Sequence, residues 1–331
     1  MRGQRIDATV LLIWLFALIA VPYRVTAADS PREAILPLVL GAEEMDIAWD
    51  RSNLDRYTAL VGRAPGIVGW YQDWADGTFR PEAMDAIAAR GGMPMVTWEP
   101  FDHTRGRAPD ERYALGRIAT GEHDAYIRSY ARDAMRWGRP FFLRFAQEMN
   151  GDWMSWSSGV SGNTPGDFVA AWRHIHDIFQ EEGATNVRWV WSPNCNIPRL
   201  LPFAAFYPGD TYVDWAALDC YNPGTGAPGY TWMSLSDILA DSYAAITALT
   251  PRPLMLAEVA SSEIGGDKAD WILQGLLSDL PVRFPRINAV IWFDANFVAK
   301  GEQDWRIDSS VASLSAFRTV ASAPIYQGAL R

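Results

Sequence analysis

The segment 144–156 reads RFAQEMNGDWMSW, and it follows the apolar residues 141–143. An apolar run thus leads into charged and amide side chains and then turns through Gly151 towards Trp153 and Trp156. This order is typical of a buried barrel strand whose carboxyl end presents polar groups to a pocket. A carboxylate in such a position is rarely buried without a partner or a task, so Glu148 is a candidate functional residue.

Eight strand-like runs alternate with helical patterns along the chain. They cover residues 35–40, 67–74, 93–100, 141–150, 187–194, 215–222, 253–260 and 287–294. Helix boundaries between them are marked by Pro81, by Gly138 ahead of Pro140, and by Thr164 followed by Pro165. Strands that alternate with helices predict a parallel sheet covered on its outer face, and eight of them predict closure. The expected fold class is therefore α/β, a single-domain (β/α)8 TIM barrel.

The motif around Glu148 resembles the acid/base motif of glycoside hydrolase family 26. That motif reads Arg-x-x-His-Glu-Met-Asn-Gly-x-Trp, and this chain matches it from Arg144 to Trp153 except that Gln147 replaces the His. The resemblance implies a (β/α)8 barrel that hydrolyses β-linked polysaccharides with retention, using carboxylates on strands four and seven. It also implies that Glu148 is the acid/base and that Glu258, in an otherwise apolar run, is the nucleophile.

The two carboxyl groups of a retaining glycosidase lie about 5–5.5 Å apart. At an effective dielectric constant near 20, two charges at about this distance repel by about 3 kcal/mol, so one carboxyl group retains its proton. We expect Glu148 to hold that proton and Glu258 to be ionised. Tyr221, at the end of the sixth predicted strand, is expected to donate a hydrogen bond to Glu258, because a phenol donor favours the charged form of a carboxylate.

The chain contains 16 tryptophans, more than packing normally requires. Four of them are expected to contact sugar rings because they end predicted strands or open the following loops: Trp98, Trp153, Trp191 and Trp292. Three of these, Trp98, Trp153 and Trp292, also match sugar-contacting aromatic residues of the family. Gln147 stands where the family's His contacts the sugar beside the cleaved bond. Because the 2-hydroxyl is axial in mannose and equatorial in glucose, this replacement leaves the identity of the sugar open.

Arg144 and the two cysteines have structural interpretations. Arg144 should point into the barrel, where a buried guanidinium needs a carboxylate, and Asp219 or Glu99 is expected to provide it. Cys195 and Cys220 lie near the ends of adjacent predicted strands, and the sequence leaves open whether they form a disulfide. Neither a His-x-x-x-His nor a Cys-x-x-Cys pattern occurs, so we expect no catalytic metal and no other cofactor.

Residues 1–27 are interpreted as a secretory signal peptide and residues 28–331 as the catalytic domain. Arg2 and Arg5 precede an uncharged run, and a small-residue cleavage site follows at 25–27. The run is short for a membrane span of about 20 apolar residues, although an uncleaved anchor stays open. The formal net charge of −10 disfavours nucleic acid and anionic membranes as partners. We expect a secreted or periplasmic monomer whose partner is a polysaccharide.

The function predicted from the sequence is that of an exported retaining endo-β-glycanase. The resemblance makes β-1,4-mannan the first expected substrate, with mixed-linkage β-1,3-1,4-glucan or a bacterial exopolysaccharide as the alternative. A non-catalytic polysaccharide-binding pseudoenzyme is the alternative from another class. The presence of both Glu148 and Glu258 argues against it, because loss of one glutamate would suffice to produce such a protein.

Overall fold

The structure, a computed structural model, describes residues 37–43, 50–75, 77–106, 109–195 and 200–328. The interpreted signal peptide lies outside these residues. Eight parallel strands form a closed barrel in sequence order, and β1 pairs with β8. The strands are β1 (Val39–Glu43), β2 (Ile67–Asp73), β3 (Met93–Glu99), β4 (Phe141–Phe145), β5 (Val187–Trp191), β6 (Trp215–Asn222), β7 (Leu254–Ser261) and β8 (Ile287–Phe293). The predicted (β/α)8 fold is confirmed.

Helices follow the strands around the outside of the barrel. Those described are α1 (Ser52–Val61), α2 (Pro81–Ala89), α3 (Leu115–Ala119), α4 (Asp124–Trp137), α5 (Pro165–Glu181), α6 (Leu235–Leu249), α7 (Lys268–Ile272), α8 (Leu280–Arg283) and α9 (Val311–Ser322). The predicted start of α5 is confirmed, because Thr164 and Asp167 form a reciprocal capping box there. In the described part of the chain, no helix has the length and apolar character needed to cross a membrane.

Three strands differ from their predicted bounds by three residues or more, and one of them, the fifth, ends at Trp191 and not at residue 194. The first begins at Val39, not at residue 35, and it pairs with β8 as far as Glu43. The fourth ends at Phe145, not at residue 150, because Ala146 and Glu148 have φ values of 47° and 55° that no strand can accommodate. Glu148 therefore lies in a turn above the barrel and not in a strand.

Side-chain alternation divides the core into a small inner cluster and a large outer layer. The inner cluster consists of Val39, Ile67, Met95, Phe142, Val190, Ala217, Met255, Ala257, Ala289 and Ile291. Trp98, Trp191 and Trp292 belong to the outer layer and are completely buried. The prediction that these three contact sugar is wrong, because each has the strand parity that points towards the helices. The ring of Trp98, for example, lies 4.7 Å from that of Trp74 and 4.8 Å from that of Tyr130.

Candidate active site

A turn with left-handed backbone positions holds Glu148 at the carboxyl end of the barrel. The Ala146 N–H donates to the carbonyl of Trp98 at 3.2 Å, and the Glu148 N–H donates to that of Ser192 at 2.8 Å. The turn is thereby attached to the ends of both neighbouring strands. The side chain of Glu148 is 7% exposed, so it is accessible from the open face while most of its surface is desolvated.

Two donors bind the carboxyl group of Glu148. The indole Nε1 of Trp153 lies 2.6 Å from Oε2, and Nδ2 of Asn194 lies 2.5 Å from Oε1. Burial and the charge of Glu258 raise the pKa of Glu148 to about 7, although both donors and Arg144 act in the opposite direction. Glu148 therefore retains its proton up to near-neutral pH, as the sequence argument expected.

Three donors converge on Glu258. The hydroxyl of Tyr71 donates to Oε1 at 2.5 Å, Arg144 binds the same oxygen through Nη2, and the hydroxyl of Tyr221 donates to Oε2. The hydrogen bond from Tyr221 is the one expected from the sequence. The Tyr71 hydrogen bond was not expected, because a tyrosine in an apolar strand has no feature that distinguishes it from a packing residue. Both oxygens of Glu258 are thus held by hydrogen bonds, and the residue is buried.

Arg144 connects the two sides of the pocket. It is completely buried, and its Nη1 lies 3.0 Å from Oδ1 of Asp219 while its Nε donates to Oγ1 of Thr97 at 3.0 Å. Of the two partners proposed from the sequence, Asp219 is confirmed and Glu99 is not. Arg144 also binds Glu258, so one guanidinium compensates two buried carboxylates.

The carboxyl groups of Glu148, Asp219 and Glu258 are close together. One oxygen from each lies within 4.8 Å of the others. Three carboxylates at this spacing can hold a cation in principle, but here the guanidinium of Arg144 binds two of the three. The separation of Glu148 from Glu258 is close to the spacing at which one carboxyl group attacks a sugar while the other transfers a proton.

Gln147 lies beneath the pocket beside a third glutamate. It is 1% exposed, and its Nε2 donates to Oε1 of Glu99 at 2.7 Å. Burial raises the pKa of Glu99 to about 7, although the hydrogen bond from Gln147 lowers it. The carbonyl of Gln147 accepts a hydrogen bond from Trp156 at 2.7 Å, which fixes the backbone. Any effect of Gln147 on a sugar would therefore be exerted together with Glu99.

A buried glutamate that the sequence analysis did not single out lies below this site. Glu43 is completely buried, and Thr97 donates to its Oε1 at 3.3 Å. Burial raises the pKa of Glu43 to about 8. Its carboxyl group occupies the space beside Gly69, where an added Cβ would lie 1.7 Å from Oε2. A glycine inside a predicted strand indicates such a close approach, so Gly69 is the residue from which a contact here could have been predicted.

The two cysteines form a disulfide at the edge of the pocket. Cys195 and Cys220 are bonded, and both are buried. Cys195 follows Asn194, which binds Glu148, and Cys220 precedes Tyr221, which binds Glu258. The cross-link, which the sequence left open, therefore lies next to a donor to each glutamate.

The chain has similarities to known proteins along most of its length. The model of glycosyl hydrolase family 26 matches residues 127–284. Endoglucanase H from Acetivibrio thermocellus is 37% identical over 278 residues, which are 82% of this chain and 29% of that protein. A mannan endo-1,4-beta-mannosidase from Bacillus subtilis strain 168 is 29% identical over 201 residues, which are 52% of this chain and 55% of that protein. The chain thus spans less than a third of the first relative and about half of the second.

Solved structures have the same fold. A family 26 beta-mannanase from Bacteroides ovatus superposes with a TM-score of 0.65 at 16% identity, covering 87% of this chain and 89% of that one. The catalytic domain of an endo-beta-1,4-mannanase from Bacillus sp. JAMB-750 gives a TM-score of 0.65 at 18% identity, covering 88% and 86%. At these identities the likeness supports the barrel fold alone.

Proposed function

This chain belongs to glycosyl hydrolase family 26, and we propose that it is an exported retaining endo-β-glycanase with Glu148 and Glu258 as its catalytic pair. The observation that carries the proposal is that two adjacent carboxyl groups have different environments. Glu148 retains its proton to near-neutral pH, whereas Glu258 accepts hydrogen bonds from Tyr71, Tyr221 and Arg144. A double displacement needs one group to donate a proton and the other to attack.

In the first step, Glu148 protonates the glycosidic oxygen while an oxygen of Glu258 attacks the anomeric carbon. The bond from that carbon to the leaving oxygen breaks, and the departing sugar leaves as an alcohol. The proton on Glu148 reduces the charge that develops on the leaving oxygen, an effect worth about 10²–10⁴-fold in rate. The product is a covalent ester between Glu258 and the remaining sugar.

In the second step, the now ionised Glu148 removes a proton from a water molecule. The water oxygen attacks the anomeric carbon from the side that the leaving group vacated, and the ester bond to Glu258 breaks. Two inversions give net retention, and Glu148 is protonated again for the next cycle. Tyr221 and Arg144 stabilise the returning charge on Glu258.

We propose a β-glucan as the substrate class, with β-1,4-mannan, the first expectation from the sequence, as the second candidate. Endoglucanase H shares more identity with this chain, over a longer stretch, than the Bacillus subtilis mannosidase does. Gln147 bound to Glu99, in place of the family's His, is consistent with a sugar whose 2-hydroxyl differs from that of mannose. Mannan is favoured by the names of several weaker relatives, which are mannosidases.

A substrate screen tests this proposal. The purified protein is incubated with mixed-linkage β-glucan, β-1,4-mannan, xylan and cellulose, and the products are separated by chromatography. We expect internal cleavage of β-glucan, and proton NMR of the first products should show the β-anomer before mutarotation. Inverted products would contradict the mechanism, preferred cleavage of mannan would favour the second candidate, and retention of polymer without hydrolysis would identify a binding protein. Recovery of the activity outside the producing cells tests export.

A further inference from the structure

The disulfide lies across a weakly paired part of the barrel. In the register of β5 with β6 the paired residues are Val190 with Trp215 and Trp191 with Ala216, whereas β6 and β7 pair over seven positions. Beyond those two pairs, Asn194 and Asp219 form an isolated bridge, in which the Cys195 N–H donates to the carbonyl of Asp219 at 2.8 Å and the Asp219 N–H donates to that of Pro193 at 3.1 Å. The covalent bond from Cys195 to Cys220 reinforces this end.

Asn194 is fixed from two directions. Its backbone N–H donates to Oδ1 of Asn150 at 2.9 Å, and its carbonyl accepts from Nδ2 of Asn150 at 3.1 Å. Asn150 lies in the same turn as Glu148, so this pair sets the distance of Asn194 from the turn. The next residue is Cys195, whose sulfur is bonded to β6. Rotation of Asn194 away from Glu148 is therefore opposed by the disulfide.

The other end of the cross-link lies beside the donor to the second glutamate. Cys220 is completely buried, and strand alternation places the next residue, Tyr221, on the pocket side. The hydroxyl of Tyr221 binds Glu258, and its ring contacts that of Trp305 at a centroid distance of 5.0 Å. The disulfide thus joins the residue that follows a donor to Glu148 to the residue that precedes a donor to Glu258.

We propose that the Cys195–Cys220 disulfide is a positioning element of the catalytic pair, which holds Asn194 on Glu148 and Tyr221 on Glu258. The inference rests on the proposed hydrolytic function for its kinetic consequence but not for its structural one. Loss of the bond would allow Asn194 to withdraw from Glu148. Because a donor to a carboxylate favours its charged form, that withdrawal raises the pKa of Glu148.

Other charged and titratable groups around Glu148 also influence its pKa. Glu258 lies on β7, Asp219 and Tyr221 lie on β6, and Arg144 lies on β4. None of these is removed when the disulfide is opened. A change in the titration of Glu148 would therefore report the donor contacts and not a change in charge.

The test uses the double variant Cys195→Ser/Cys220→Ser and the native protein treated with a dithiol. In the treated native protein, the dithiol is oxidised to its cyclic disulfide and Cys195 and Cys220 become free thiols. Because Trp153 donates to Glu148, the NMR resonance of its indole N–H should change as Glu148 titrates. This readout needs no substrate. In both proteins that lack the disulfide, we expect the midpoint of that titration and the basic limb of the kcat/KM profile to move to higher pH. We expect kcat to fall roughly tenfold, within the 10²-fold that a 1 Å misplacement can cost.

Asn194→Ala in the oxidised protein is the matched control, since it removes the donor and retains the disulfide. It should give an upward shift at least as large as that of the cysteine variant. A lower melting temperature with an unchanged indole midpoint and unchanged basic limb would show that the disulfide is only a stabilising cross-link. If the native protein hydrolyses no polysaccharide, the proposed function fails, while the indole titration still decides the positioning role. If the serine variant does not fold, the dithiol-treated protein gives the same readout.

Discussion

The indole Nε1 of Trp153 donates a hydrogen bond to Oε2 of Glu148 across 2.6 Å. Trp153 is half-buried, and its ring lies over Gly151, where an added Cβ would be 2.5 Å from the ring. The residue that the sequence offered as a sugar-stacking platform is therefore also bound to the proposed acid. These two roles can be separated experimentally.

We predict that Trp153→Phe and Trp153→Ala have different effects. The phenylalanine retains an aromatic face but lacks the N–H, so the pKa of Glu148 should rise and the basic limb of kcat/KM should move to higher pH. The alanine should show the same shift and in addition a higher KM for polymer, because it also removes the stacking surface. Both are measured from pH 5 to 9 on the preferred polysaccharide. Identical KM values in the two variants would argue against stacking.

Glu148→Gln and Glu258→Gln should each abolish hydrolysis of natural polymer while the fold and polymer binding persist. Loss of general acid assistance alone costs about 10²–10⁴-fold. With an aryl glycoside whose phenol is a good leaving group, Glu148→Gln should retain the first step and accumulate the covalent intermediate, whereas Glu258→Gln should not. Mass spectrometry of the intact protein detects that intermediate. Full polymer activity in either variant would rule out the proposed pair.

The buried tryptophans should affect stability and not substrate binding. Trp98→Ala and Trp292→Ala are expected to lower the free energy of unfolding by about 3–5 kcal/mol, since each empties a packed site between the barrel and the helices. Denaturant titration measures this loss, and Trp153→Ala should lose less because its side chain is partly exposed. An equal loss in all three variants would contradict the division into packing and cleft residues.

Gln147 should influence catalysis through Glu99. Gln147→Ala removes the donor to Glu99, so the pKa of Glu99 should rise further above about 7. We expect kcat to fall more than KM rises, because the sugar at the reaction centre binds most strongly in the transition state. Gln147→His should increase the ratio of mannan to glucan hydrolysis. Equal ratios in the native, alanine and histidine proteins would indicate that Gln147 only supports the turn.

Glu43 should make the protein less stable as the pH rises. Its pKa is about 8 in the folded protein against 4.5 without burial, so between these values the folded state binds more protons than the unfolded state. The free energy of unfolding then decreases with rising pH across this window. Glu43→Gln should reduce that decrease between pH 5 and 8, as measured by urea titration. Glu99→Gln is the control, because its effect should be confined to pH values below about 7.

Periodicity along the chain predicted the barrel, and two site contacts and one raised pKa followed from residue chemistry. Strand-like runs alternating with helices gave eight strands of the correct order, since burial on both faces produces continuous apolar runs. The hydrogen bond of Tyr221 to Glu258 and the pairing of Arg144 with Asp219 followed because buried charges require partners. A raised pKa of Glu148 was expected from the proximity of a second carboxylate, although burial is the larger cause of the shift.

What could not be predicted depended on strand parity and on loops. A tryptophan at a strand end points to the pocket or to the helices according to one residue of register, and Trp98, Trp191 and Trp292 all point to the helices. Asn194 lies beyond the last residue of β5, where no periodicity constrains its direction. The contact of Glu43 with Gly69 joins two strands, and the glycine indicates a close approach without identifying the side chain that occupies the space.

The left-handed backbone of Glu148 has a consequence for how such a protein can change. A φ of 55° costs a non-glycine residue about 1–3 kcal/mol, and the buried carboxyl group adds its own desolvation. Glycine would relieve both, so selection for thermal stability alone would favour Glu148→Gly at the expense of the proposed acid. A stability screen of variants at this position should therefore be read together with an activity assay, because the two properties are expected to favour different residues.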